Sequence, residues 1–208
     1  MTSKTYKSLC FIGPTAVATT NGLIPIRDVK KGDLVYTLDG TARPVLTVGS
    51  RVYSGDMVKI YCGGRAVCCT LEHPFFAAYI NKIDVDGMYR FPRKVKNAVK
   101  LSLKDYLLIP WNLLLSYSDS TELRHTYAKI KDKDFSSNKA GALTAYAQKR
   151  DIKAVGCREG VARRIDRVRL LEARNIPVYN LEVEDRHTYT AEFFAVSGCV
   201  NPNIHDMT

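Results

Sequence analysis

Residues Val178–Val200 read VYNLEVEDRHTYTAEFFAVSGCV. From Val178 the run alternates apolar and polar side chains, the period-2 pattern of a half-buried strand. Asp185-Arg186 marks a turn, and a second β-rich run is expected from His187 to Val196, ending at Ser197-Gly198. Cys199 follows at once. A histidine at one end of a strand and a cysteine just past the other is unusual in a purely structural hairpin. Taken alone, however, the segment reads better as a hairpin with one polar corner.

Two further stretches change the weight of that reading. Cys10 opens CFIGPTAVATTNGLIPIRDVKKGDLVYT, and Thr70–Phe76 reads TLEHPFF, a Thr-x-x-His-Pro unit at the end of a strand-like run. In this order the three stretches resemble the N-terminal, middle and C-terminal splicing motifs of inteins. Inteins belong to the Hint superfamily, which also includes hedgehog autoprocessing domains. The resemblance spans Cys10 to Cys199, almost the whole chain.

Composition is compatible with it. The 208 residues are 46% hydrophobic and 25% charged, ordinary values for one globular domain with a sizeable core. No run approaches the roughly 18 apolar residues of a membrane span, and the N-terminus has no signal-like apolar segment. No membrane partner is expected. A net charge of +10 permits contact with nucleic acid, but charge alone is weak ground for it, and no such partner is expected. The six cysteines include an adjacent pair, Cys68-Cys69, whose side chains must point to opposite faces of a strand. That spacing does not suggest a disulfide framework, and without a CxxC pair no metal site is expected. Free thiols suit a reducing, cytoplasmic compartment.

Turn signals punctuate the chain at short intervals. Asn21-Gly22, Lys31-Gly32-Asp33, Asp39-Gly40 and Gly63-Gly64 each separate β-like runs, so the domain is expected to be all-β. The resemblance sharpens this to a flattened, horseshoe-like Hint fold with its termini close together, and to a Lys104-Asp105 turn where inteins carry Gly-Asp. Residues 112–166 differ: they are lysine-rich, with helix-forming composition over Ala140–Lys153. They read as a partly helical or disordered insertion, too short for a typical homing endonuclease. On this reading residues 1–9 and 199–208 are fragments of flanking host protein, the exteins, and residues 10–198 are a mini-intein. Its partners are its own flanks, it needs no cofactor, and it acts as a monomer.

The resemblance also implies roles. Cys10 would attack the carbonyl of Leu9, turning the Leu9–Cys10 amide into a thioester. An unperturbed thiol is only about 3% ionised at neutral pH, so the site must activate it. His73 would handle the proton of the leaving nitrogen, and Thr70 would hydrogen-bond the same amide. A structural histidine beside Pro74, or a buried structural cysteine, is the plainer reading of each residue alone. Cys199 would be the downstream nucleophile and His187 its helper. Asn180 stands where many inteins have aspartate, and asparagine cannot take a proton. Ser197-Gly198 replaces the family's terminal His-Asn. Glycine has no side-chain amide to cyclise, so release at the Gly198–Cys199 junction is expected to be blocked, and Gly198→Asn to restore it. A non-splicing Hint domain that cleaves only upstream is the near alternative; a basic nucleic-acid-binding β protein is the distant one.

Overall fold

The computed structural model describes residues 9–78, 84–85, 89–90, 95–110, 113, 154–156, 160–185 and 187–198. The expected helix over Ala140–Lys153, the Cys199 nucleophile and the flanking segments at 1–8 and 199–208 lie outside them.

The described chain is built of β-strands, as the turn spacing predicts. The N-terminal half contains β1 (Phe11–Ile12), β2 (Ala16–Thr19), β3 (Gly22–Pro25), β4 (Leu34–Tyr36), β5 (Ala42–Cys62), β6 (Arg65–Thr70) and β7 (Pro74–Ala78). Short pieces follow: β8 (Asp84–Val85), β9 (Tyr89–Arg90), β10 (Val95–Asn97) and β11 (Tyr106–Pro110). The C-terminal half is β12 (Ala154–Gly156), β13 (Gly160–Val183), β14 (Thr188–Ala191) and β15 (Phe194–Ser197). The sheet runs β1-β6-β5-β4-β2-β14-β15-β7-β11-β13-β12, and β13 returns to pair with β1 and β5. The path therefore closes on itself.

Two hairpins form where the glycines foretold them. At Gly63-Gly64 both residues have positive φ (58° and 79°), the turn whose twist matches the strands on either side. At Asn21-Gly22 only Gly22 does, with φ 113°.

The long elements depart from the expected run of short strands. β5 spans 21 residues and β13 spans 24, and they pair antiparallel from Cys62↔Ile165 to Val45↔Val183. Register shifts between Ile165 and Arg167, Ala173 and Ile176, and Glu182 and Val183 bend this ribbon, since each bulge adds local twist. The strand read as starting at Val178 is thus the far end of β13. Residues 160–166, expected within the insertion, are its beginning.

A second departure concerns the run expected from His187 to Val196. It is a hairpin, β14–β15, turning at Glu192-Phe193 with φ of 49° and 74°. Neither residue is glycine, so the left-handed backbone carries a steric cost. Three contacts hold it: Glu192 N–H donates to the Ala16 carbonyl (2.8 Å), the Glu192 carboxylate accepts from Ala16 N–H (2.8 Å), and the Arg65 guanidinium lies 3.6 Å from the Phe193 ring centre.

The main core lies inside the closed sheet. Phe11, Phe75, Tyr189 and Phe194 are fully buried there, with the Phe11 ring edge-on to Phe75 and Tyr189 at 6.2 Å each. Cys69 belongs to this core. Its neighbour Cys68 joins a smaller outer cluster with Cys10, Met57, Ala173 and Val178, so the pair does point to opposite faces.

Candidate active site

Cys10 lies immediately before β1, which is sandwiched between β6 and β13: Phe11 is opposite Cys69 on one side and Tyr179 on the other. Thr70 ends β6 directly across from Cys10 and holds it twice. The Cys10 N–H, part of the Leu9–Cys10 peptide bond, donates to Thr70 Oγ1 at 3.0 Å. Thr70 N–H donates to the Cys10 carbonyl at 3.0 Å, with its hydroxyl 3.4 Å from the same oxygen. Thr70 is 1% exposed, so water does not compete for these bonds.

Thr70 and His73 converge because the chain turns between them. His73 N–H donates to the Thr70 carbonyl at 3.2 Å, and Leu71 and His73 carbonyls accept from Val99 and Ala98, each at 2.8 Å. The 3-10 turn Ala98–Lys100 thus backs the motif. It is steadied in turn by Asp105, the expected turn residue, which is buried and takes Lys96 Nζ on both oxygens (2.9 and 2.7 Å) and Ser102 N–H (2.8 Å).

The His73 ring is fully buried, 4.0 Å from the centre of Phe11 and 5.7 Å from that of Phe75. Neither ring nitrogen has a hydrogen-bond partner. Burial pushes its pKa down to about 3, although the nearby Leu9 backbone favours the protonated ring. His73 is therefore neutral at physiological pH. Its closeness to the Leu9 backbone places it beside the bond that Cys10 would break.

The downstream side converges on the same stretch of β13. Asn180 Oδ1 accepts from Leu181 N–H (2.9 Å) and from Tyr189 Oη (3.0 Å). Asn180 thus anchors the core tyrosine, and it stands next to Tyr179, which pairs with Phe11. His187 has a left-handed backbone (φ 46°), and its Nδ1 is buried without a partner. Its carbonyl accepts from Gly198 N–H at 2.6 Å, with Ser197 Oγ at 3.5 Å. A Cβ placed on Gly198 would stand 2.8 Å from the Leu181 carbonyl oxygen, closer than a carbon atom packs. Position 198 is thus shaped around glycine. The structure gathers Leu9, Cys10, Thr70 and His73 at the start of β1, and brings Gly198 against His187 and against Leu181, the residue after Asn180 on β13.

Sequence reading passed over Tyr53, Glu72 and Tyr189. Glu72 sits inside the quoted TLEHP motif, but only its buried, unpartnered Oε2 sets it apart. Tyr53 lies 43 residues from Cys10 in sequence, with no local signal linking them. Among the described residues no group of three or more His, Cys, Asp or Glu side chains could hold a metal ion.

Residues 9–70 match the Hint domain family. No curated protein matches the chain in sequence. Among solved structures, a bacterial intein-like domain from Clostridium thermocellum is similar at 19% identity. That match has a TM-score of 0.57 and covers 91% of this chain and 98% of the other. The fold is that of the intein/Hint superfamily. The gp41-1 intein (16% identity, TM-score 0.53, 91% and 98% covered) and the Ssp DnaB mini-intein variant M86 (13%, 0.55, 91% and 92%) share this Hint architecture. At these identities the likeness concerns the fold, and the chemistry must be argued from the site.

Proposed function

We propose that this Hint domain rearranges its own backbone, beginning with an N–S acyl shift at Leu9–Cys10. The observation that carries this reading is the grip of Thr70 on the amide of that bond, with a buried, neutral His73 beside the Leu9 backbone. As Cys10 Sγ bonds to the Leu9 carbonyl carbon, the C–N bond breaks and the freed nitrogen needs a proton. Thr70 Oγ1, already 3.0 Å from that nitrogen, fixes its direction of departure, and His73 can take up and pass on the proton. Cys199 then receives the acyl group by transesterification, with His187 assisting. The flanking segments are the substrate. The domain acts as a monomer in reducing surroundings, and Gly198 leaves the final release step without an amide to cyclise.

A second reading confines the chemistry to the upstream bond, with the thioester consumed by water or an external nucleophile. The close packing of Gly198 on Leu181 favours it, because a terminal asparagine has no room there without backbone movement.

The test is intact mass of the full chain over time, with and without dithiothreitol. Thiol-dependent loss of Met1–Leu9, abolished in Cys10→Ala, supports the acyl shift. Cleavage at Leu9–Cys10 that persists in Cys10→Ala overturns it. A branched species in which Leu9 is joined to Cys199 distinguishes the first reading from the second.

A further inference from the structure

The backbone and the ring of His73 are held by different means. Hydrogen bonds to Thr70 and Ala98 fix the backbone, but neither ring nitrogen has a partner. The last torsion of a histidine side chain is broad and roughly two-fold, so without a polar restraint only packing can choose the orientation of the imidazole. Two rings supply that packing. Phe11 is the nearer, its centre 4.0 Å from that of the imidazole at a tilt of 52°, and Phe75 stands edge-on at 5.7 Å. At 4.0 Å the Phe11 and His73 rings are in direct contact.

Phe11 is in turn fixed in both backbone and ring. Its backbone pairs with Cys69 of β6 and Tyr179 of β13. Its ring meets Phe75 and Tyr189 edge-on at 6.2 Å each, and none of it is exposed. Phe11 also follows Cys10 directly. The wall that faces the imidazole therefore belongs to the same short stretch of chain as the Leu9–Cys10 bond.

We propose that Phe11 is the positioning residue for His73: its ring sets the angle of the imidazole at the Leu9–Cys10 junction and closes it off from water. This rests on the acyl-shift reading and explains how a histidine without ring hydrogen bonds keeps one orientation there. Phe11 carries no group that can move a proton and acts only through the imidazole. A leucine in its place fills much of the volume but leaves an edge open, so the imidazole gains room to rotate and water reaches its charged form. The titratable groups on the elements packed around the two rings are Cys10 beside Phe11, Cys69 opposite it on β6, Glu72 on the turn itself and Tyr189 on β14. The low pKa of the ring comes from burial, opposed by the Leu9 backbone.

The test uses the full chain as wild type, Phe11→Leu (with Phe11→Met as a second replacement), His73→Ala and the Phe11→Leu/His73→Ala double variant. Phe194→Leu serves as the control for a loosened core, since Phe194 is equally buried. Dithiothreitol-induced loss of Met1–Leu9 should slow by about 10- to 100-fold in both Phe11 variants, the cost of a misplaced group at a reacting bond. Adding Phe11→Leu to His73→Ala should cost less than about twofold more, because the two residues act as one unit. Phe194→Leu should keep the rate. Independently of cleavage, nitrogen NMR of wild type should show one set of His73 ring signals, with cross-peaks to the Phe11 ring and a midpoint of about 3. In the Phe11 variants that midpoint should rise by about one pH unit or more as burial is relieved. An unchanged rate or midpoint in the Phe11 variants, an equal loss of rate in Phe194→Leu, an undiminished loss in the His73→Ala background, or a wild-type imidazole without cross-peaks to Phe11 overturns the assignment. Wild type that never loses Met1–Leu9 overturns the acyl-shift reading instead, and the cross-peaks and midpoints still decide whether Phe11 fixes the ring.

Discussion

The segments around Cys10 and Gly198 both reach β13, near Tyr179 and Leu181, but are built to different standards. Upstream, the amide N–H and the following carbonyl of Cys10 both end on Thr70, and a buried imidazole stands by the bond. Downstream, a glycine is pressed against the Leu181 carbonyl, beside a histidine whose Nδ1 has no partner. The contrast teaches that closeness in a fold does not make two sites equally well held. On the proposed acyl shift, the upstream peptide bond is held at the atoms that change, whereas at Gly198 the backbone is packed where a larger side chain would have to go.

The sharpest way to break this comparison is Cys10→Ala, which should eliminate upstream cleavage altogether, as read by intact mass. His73→Ala should slow that cleavage by about 100-fold or more, the usual weight of a positioned proton-transfer group. The same histidine carries a pH signature. Its folded pKa lies near 3 against an unfolded value of 6.5, so the unfolded chain binds the extra proton between these values. Its contribution is complete above the unfolded value and is lost as pH falls from about 6.5 towards 3, by up to about tenfold in the folding equilibrium per unit. Denaturant melts of wild type and His73→Phe over this range should differ in slope; parallel curves would show that the ring is not buried neutral.

Thr70→Val is the next step down. It keeps the shape but strips the hydroxyl from the Cys10 N–H, and should cost about 1–3 kcal/mol of stability together with roughly tenfold in cleavage rate; Thr70→Ser should recover most of the rate. The smallest effect is expected at the other junction. Gly198→Asn must displace the backbone, so about 1–3 kcal/mol of destabilisation is expected, with upstream cleavage unchanged and little new release. This reverses what the sequence suggested for that variant, and a full return of ligated flanks would show that the Leu181 contact yields easily.

How much of this was legible beforehand depends on whether the signal was local. The Gly63-Gly64 and Asn21-Gly22 hairpins announce themselves, because glycine there marks a backbone shape that few residues adopt. The Thr70–His73 pairing was readable for the same reason: three residues and a following proline define a tight turn. By contrast, β13 could not be traced as one strand, since Asn175 and Pro177 look like breakers until bulges against β5 absorb them. The Glu192-Phe193 turn was hidden because its left-handed residues are held by tertiary partners, Ala16 and Arg65, rather than by glycine. Gly198 matters through what surrounds it, which sequence spacing does not contain.

The pairing of β1 with β13 has a further consequence, one of timing. Phe11 and Tyr179 are nearly a whole chain apart, and at about 5–20 residues per second a ribosome takes roughly 10–30 s to travel between them. Throughout that interval β13 is absent, and Cys10 lacks one of the two strands that flank its site. Pairings between such distant segments also form slowly once both are available. On the proposed acyl shift, the Leu9–Cys10 bond therefore stays an ordinary peptide bond until β13 has been made and docked.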